Sequence, residues 1–210
     1  MGKLLVPASE PGWLAAAQEA LAADGLVIFP TDTVYGLGCA VDSPAAIDKL
    51  FRIKGRPGQK AIPVLLGDVE QLDLVCVDVP LAAYRLTESF WPGALTIVLP
   101  RHPRLPEALG PQATLGVRMP DHPLALQLLR AYGPLAVTSA NLSGAGENRT
   151  AEQARAELGG QVELTIDGGE TPGGVPSTVV DLTQAGFPVL RPGPISRQAL
   201  DLALDARLEG

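Results

Sequence analysis

Lys54, Arg56 and Lys60 are three cations within seven positions of a 210-residue chain whose formal net charge is −7. With Lys49 and Arg52 they put five of the 16 basic residues into twelve positions, and no acid occurs between Asp48 and Asp68. Such a concentration in an acidic protein points to a local anion site, since general polyanion binding draws on a whole basic face. Three of the four lysines fall in this window, although Arg outnumbers Lys twelve to four. The plainer alternative is a solvated helix end with cations near its negative pole. That alternative gives no reason for the charges to continue past Pro57.

Other polar groups flank apolar, strand-like runs. Thr31-Asp32-Thr33 follows LVIFP, Arg118 lies in TLGVRMP, and Ser139-Ala140-Asn141 follows PLAVT. Ser177-Thr178 opens a run after a Gly-rich segment, and Arg191 closes PVLR. Open α/β sheets bind ligands beyond the carboxyl ends of their strands, so these groups are expected to share one site. Cations and hydroxyls without an evident nucleophile or base suit phosphoryl or nucleotidyl transfer, which rests on positioning and charge stabilisation.

Other chemistries lack their residues. There is no GxSxG, HExxH or GxxxxGK[ST] motif, and GLG at 36–38 is an incomplete dinucleotide fingerprint that reads as a turn. His102 and His122 each precede a proline in loop-like surroundings and are poor general bases. Cys39 and Cys76 read as buried thiols with no disulfide or metal role. A composition of 46% hydrophobic and 19% charged residues supports a real core. No apolar run approaches the length of a membrane span, and the N-terminus does not read as a signal peptide. A cytoplasmic protein is expected.

The elements that must position these groups alternate along the chain, which reads as an α/β or mixed-sheet protein. Helices are expected over Pro11–Asp24, from Ser43-Pro44 to Gly55, near Val69–Leu74 and over Leu81–Phe90. Three more run from an Asp121 cap to Tyr132, over Thr150–Leu158, and from a Ser196 cap into an amphipathic tail. Strands are expected over Leu26–Pro30, Ala61–Leu66, Leu95–Pro100, Leu115–Met119, Leu135–Thr138 and Val162–Ile166. Thr178–Leu182 and Val189–Arg191 form a hairpin. With no linker or repeat, residues 1–210 read as a single domain.

Seven ordered motifs, PTDTVYGLG, KGRPGQK, WPGALT, VRMPDHP, TSANLSG, PSTVVDL and LRPGPIS, resemble the YrdC/TsaC family, the L-threonylcarbamoyladenylate synthases. The resemblance implies a twisted mixed β-sheet flanked by helices, with a large concave active site. It implies condensation of L-threonine, bicarbonate and ATP, with Mg²⁺ accompanying ATP and pyrophosphate released. A separate complex would then transfer the threonylcarbamoyl group to tRNA. Carried over by motif, Thr33, Arg118 and Ser177 lie on the threonine side, Arg118 at its carboxylate. Arg56, Lys60, Thr114, Ser139, Asn148 and Arg191 face ATP. Lys54, Arg56, Ser139 and Asn141 are the catalytic set, while Lys49 and Arg52 read as helix-surface charges. Some members carry His where this chain has Leu65, and longer members add a C-terminal domain. Two alternatives remain open: a carbamoyl-adenylate chemistry fed by carbamoyl phosphate, and double-stranded RNA binding without catalysis. The net charge and the 4% aromatic content weigh against the second.

Overall fold

A computed structural model describes residues 4–55 and 61–205. Strands β1 (Leu4–Pro7), β2 (Val27–Pro30), β3 (Tyr35–Ala40), β4 (Val64–Leu65) and β5 (Leu95–Pro100) come from the first half of the chain. Strands β6 (Thr114–Arg118), β7 (Leu135–Ser139), β8 (Leu164–Asp167), β9 (Thr178–Asp181) and β10 (Val189–Arg191) follow. They join in one mixed sheet of order β1-β8-β2-β3-β7-β4-β6-β5-β9-β10. The helices are α1 (Trp13–Ala22), α2 (Pro44–Ile53), α3 (Leu72–Val75), α4 (Leu81–Phe90), α5 (Pro123–Tyr132), α6 (Ala151–Leu158) and α7 (Arg197–Asp205).

Both faces of the sheet are covered, as a sheet with apolar residues on both sides requires. Trp13, Ala17 and Leu21 of α1 and Ala125, Leu128 and Leu129 of α5 pack on Val27, Phe29, Leu135 and Val137. Alternate strand residues such as Ile28, Leu37, Ile97 and Val117 belong to the larger core on the other side, with α2, α4 and α6. Local chemistry sets the helix ends. Ser43 caps α2 by accepting the Ala46 N–H at 3.1 Å, with Pro44 at the first position. Gly55 just beyond its end has φ 62°, the left-handed value that stops a helix.

Several expectations are corrected. The GLG segment is no turn: it forms the centre of β3, whose six residues are all buried. A Cβ at Gly36 would lie 2.9 Å from Val137 Cγ1, and one at Gly38 would lie 2.8 Å from Phe29 Cε1. Glycine is there so that neighbouring side chains can close over the strand. Gly38→Ala is therefore expected to lower stability by about 1–3 kcal/mol through overpacking. An unchanged urea midpoint would contradict this. The run 61–66 yields a two-residue strand, because Pro63 has no N–H for the ladder. Helix α5 starts at Pro123 with His122, and not Asp121, as its cap residue. Strand β1, which pairs in parallel with β8, went unread in the sequence.

The expected convergence of site residues at strand carboxyl ends is also revised. Strands β2 and β7 run antiparallel to β6, so the C-termini of β7 and β6 lie at opposite ends of the sheet. Thr31–Thr33, Ser139 and Asn141 belong to one end. Thr114 joins them, since Val117 and Ala136 both align with Val64 and Thr114 and Ser139 are each three residues beyond that level. Arg118, Ser177 and Arg191 belong to the other end. Asp32 nevertheless pairs with Arg118, four strands away. A flat sheet would separate those strands by about 19 Å. The sheet therefore twists and curls until diagonal corners meet.

Candidate active site

At the first corner the ammonium of Lys54 anchors the loop that follows β7. The residue is 3% exposed. Its Nζ donates to the Ser139 carbonyl at 2.7 Å, to the Asn141 carbonyl, and to Asn141 Oδ1 at 3.1 Å. Ser139 Oγ donates to the same Oδ1 at 2.5 Å, and Asn141 Nδ2 donates to the Ala145 and Gly146 carbonyls at 3.0 Å each. Ser143 Oγ closes the circuit on the Lys54 carbonyl at 2.7 Å. One buried cation and one carboxamide thus define the path of residues 139–146.

At the second corner Arg118 is 9% exposed. Its Nη2 pairs with Asp32 Oδ2, and its Nε donates to the Gly93 carbonyl at 2.9 Å. Arg191 lies close by. Its Nε and Nη2 donate to the Ser177 carbonyl at 3.0 and 2.9 Å, and Nη2 reaches Ser177 Oγ at 3.0 Å. Partial desolvation, and then the like charge of Arg118, lower the Arg191 pKa from the usual arginine value. Two neighbouring guanidinium groups, only one of them balanced by a carboxylate, leave this corner electropositive and suited to an anionic group.

Thr33 follows Asp32, the partner of Arg118. Its hydroxyl meets Thr31 Oγ1 at 3.2 Å, and its carbonyl accepts the Gly173 N–H at 2.8 Å. The Gly-rich segment is thereby tied to the mouth of the site. Tyr35 tethers its start, donating its hydroxyl to the Gly169 carbonyl at 2.7 Å. Arg56 and Lys60 lie outside the described residues, directly after Gly55. Asn148 Nδ2 donates to the Ala140 carbonyl at 2.7 Å and to Glu157 Oε2 at 2.5 Å. Lys49 and Arg52 are helix-surface charges, as expected. Lys49 pairs with Glu163 at 2.6 Å and the exposed Arg52 folds back on the Asp48 carbonyl at 3.4 Å. Leu65 is buried in the core beneath α5. Burial pushes the Cys39 and Cys76 thiols up to about 12, so both stay protonated and inert.

Thr96 and Glu157 escaped the sequence reading, and Asp32 was named there without a role of its own. Asp32 balances Arg118, and its Oδ1 is buried without a hydrogen-bond partner among the described residues. The buried Thr96 shares a hydrogen bond of 2.8 Å with Ser177 Oγ. Glu157 receives donors from the loop after β7. Asp32 and Thr96 lie inside motifs already singled out, and that position was the available signal. His122 also adjoins this corner: burial lowers its pKa, against the opposing effect of the Asp32 and Asp121 carboxylates.

A curled mixed sheet flanked by helices, with a buried lysine at one corner and two neighbouring arginines at the other, defines a mixed α/β protein. The Sua5/YciO/YrdC family model, described as "Telomere recombination", matches residues 19–193. The chain belongs to the Sua5/YciO/YrdC family. A Mycobacterium tuberculosis relative is 42% identical over 188 residues, spanning 89% of this chain and 87% of its own. The threonylcarbamoyl-AMP synthase of Bacillus subtilis is 40% identical over 197 residues, 91% of this chain and 56% of that one. The Pyrococcus abyssi Sua5 structure complexed with L-threonine superposes with a TM-score of 0.90 at 36% identity, covering 98% of this chain and 61% of that one. The present chain thus spans little more than half the length of these last two proteins. No helix among the described residues is long and apolar enough to cross a membrane.

Proposed function

We propose that the protein is a threonylcarbamoyl-AMP synthase, condensing L-threonine, bicarbonate and ATP and releasing pyrophosphate. The observation that carries this reading is the contact of Lys54 with Ser139 and Asn141. Lys54 of the KGRPGQK motif thus meets Ser139 and Asn141 of the TSANLSG motif in one buried knot. The names of the relatives support the same reaction and neither alternative.

The threonine amine takes up carbon dioxide or bicarbonate to give a carbamate. A carbamate oxygen attacks the α-phosphorus of ATP, and the bond to the β-phosphate oxygen breaks as pyrophosphate leaves. Arg118 holds the threonine carboxylate, with Thr33 and Ser177 beside it. Ser139, Thr114, Arg191, Arg56 and Lys60 face the nucleotide, and Asn148 helps set the loop there. Lys54 and Arg56 oppose the negative charge that builds on the phosphate oxygens, where a prearranged cation acts without reorganising. Mg²⁺ would be carried here on phosphate oxygens and its own waters. Bound in that way, the metal would add to charge neutralisation. The product passes to a separate tRNA-modifying complex in the cytoplasm, and weak RNA contact of the basic stretch is compatible with this path.

The test is incubation with ATP, Mg²⁺ and bicarbonate against a panel of amino acids, followed by mass spectrometry of the acyl-adenylates. Threonine-dependent adenylate with matching pyrophosphate is expected. No adenylate with any amino acid, or formation from carbamoyl phosphate alone, would overturn the proposal.

A further inference from the structure

The loop after β7 owes its position to a residue that lies outside every motif of the sequence. Glu157 Oε1 accepts the Leu142 N–H at 2.7 Å, and Oε2 accepts from Asn148 Nδ2 at 2.5 Å. Leu142 follows Asn141, the partner of Lys54. Asn148 lies on the returning arm, where its carbonyl accepts the Tyr35 N–H at 3.1 Å. One carboxylate therefore fastens the outgoing and returning arms together. A carboxylate suits this place, because both oxygens accept while both partners donate.

The helix that carries Glu157 is itself firmly set. Ala151, Ala154 and Leu158 of α6 are buried in the core. Its start is a reciprocal cap: the Gln153 N–H donates to Thr150 Oγ1 at 3.2 Å, while Gln153 Oε1 accepts the Arg149 and Thr150 N–H groups at 2.9 and 3.2 Å. A rigid helix thus presents a charged clamp to an otherwise exposed loop, whose residues 142–147 lie open to solvent. Supporting contacts of this kind set the precision of a site more than its direct contacts do.

We propose that Glu157 is the positioning residue of the nucleotide half of the site. Its carboxylate fixes the 140–148 loop, and through Asn141 fixes the direction of the Lys54 ammonium. Glu157 touches no substrate. The inference rests on the ATP-dependent reading above and adds the residue that prearranges it. It also separates the two corners, since Arg118, Asp32 and Ser177 have no contact with Glu157.

Glu157→Gln is the test, because it keeps the shape and turns one acceptor into a donor that faces another donor. ATP and threonine affinities of the full chain are measured by calorimetry, with KM for each substrate from pyrophosphate release and Tm from scanning. Loss of one charge-assisted contact is expected to weaken ATP binding and raise its KM about tenfold. Threonine affinity should stay within about twofold and Tm within a few degrees, a split that general loosening of the fold does not produce. Unchanged ATP affinity would overturn the proposal, and so would joint loss of both ligands with a fallen Tm. ATP binding to the unsubstituted chain is measured first. Its absence would sink the functional reading itself, whereas ATP binding that Glu157→Gln leaves intact removes only the role of Glu157.

Discussion

Lys54→Met is expected to reduce threonylcarbamoyl-AMP formation at least about a hundredfold, the scale seen when one prearranged charge donor is removed from a reaction centre. Methionine fills a similar volume, so the core around α2 remains packed. What disappears is the ammonium that binds the Ser139 carbonyl and both oxygens of Asn141. Each charged hydrogen bond contributes about 1.5–3 kcal/mol, and the acceptors left behind are buried. Lys54→Arg should not rescue the activity, because a planar fork cannot replace a compact cation in a cage of three oxygens. Kinetics at saturating threonine and bicarbonate provide the check. Turnover within about threefold of the unsubstituted protein would rule out Lys54 as the organiser of the site.

Arg118→Ala should have the second largest effect, and it separates structure from binding. The side chains of Arg118 and Asp32 are only 11% and 15% exposed, so solvent screens the pair weakly. Removing the arginine strands the Asp32 carboxylate, which costs about 3 kcal/mol when a buried pair is broken. Stability in urea should fall by that order, and KM for threonine should rise at least about tenfold as a charge-assisted carboxylate contact is lost. Combining Arg118→Ala with Asp32→Asn removes the stranded charge and should recover most of the stability. Threonine use should stay impaired in the double variant. If stability and KM recovered together, Arg118 would be a structural residue and the substrate carboxylate would bind elsewhere.

The distribution of chemistry was more legible in the sequence than its geometry. Lys54, Ser139 and Asn141 stood out because their motifs carry residue types that the core does not need. Most helices were legible through caps and prolines, as at Ser43-Pro44. The roles of Asp32 and Thr96 were not, because each acts through a partner distant in sequence: Asp32 pairs across 86 residues and Thr96 across 81. Such meetings follow from strand order, which alternation of apolar residues does not encode. The same gap explains the misjudged strand ends. Thr33, Arg118, Ser139, Ser177 and Arg191 do flank strand ends, but the direction of β6 against β7 is a property of the whole sheet. Strand β3 was missed for a local reason, since Gly36 and Gly38 resemble turn residues until Phe29 and Val137 are seen closing over them.

The joining of diagonal corners by a curled sheet also bears on the order of synthesis. Asp32 belongs to the first sixth of the chain, Arg118 to its middle, and Ser177 and Arg191 to its last fifth. Strand β9 completes its side of the sheet by pairing with β5, some eighty positions earlier. Non-local pairings of this kind form late, because the intervening chain must be ordered first. A nascent chain that has not yet delivered β9 therefore has Arg118 and Asp32 without Ser177 and Arg191 beside them, although Lys54, Ser139 and Asn141 are already made.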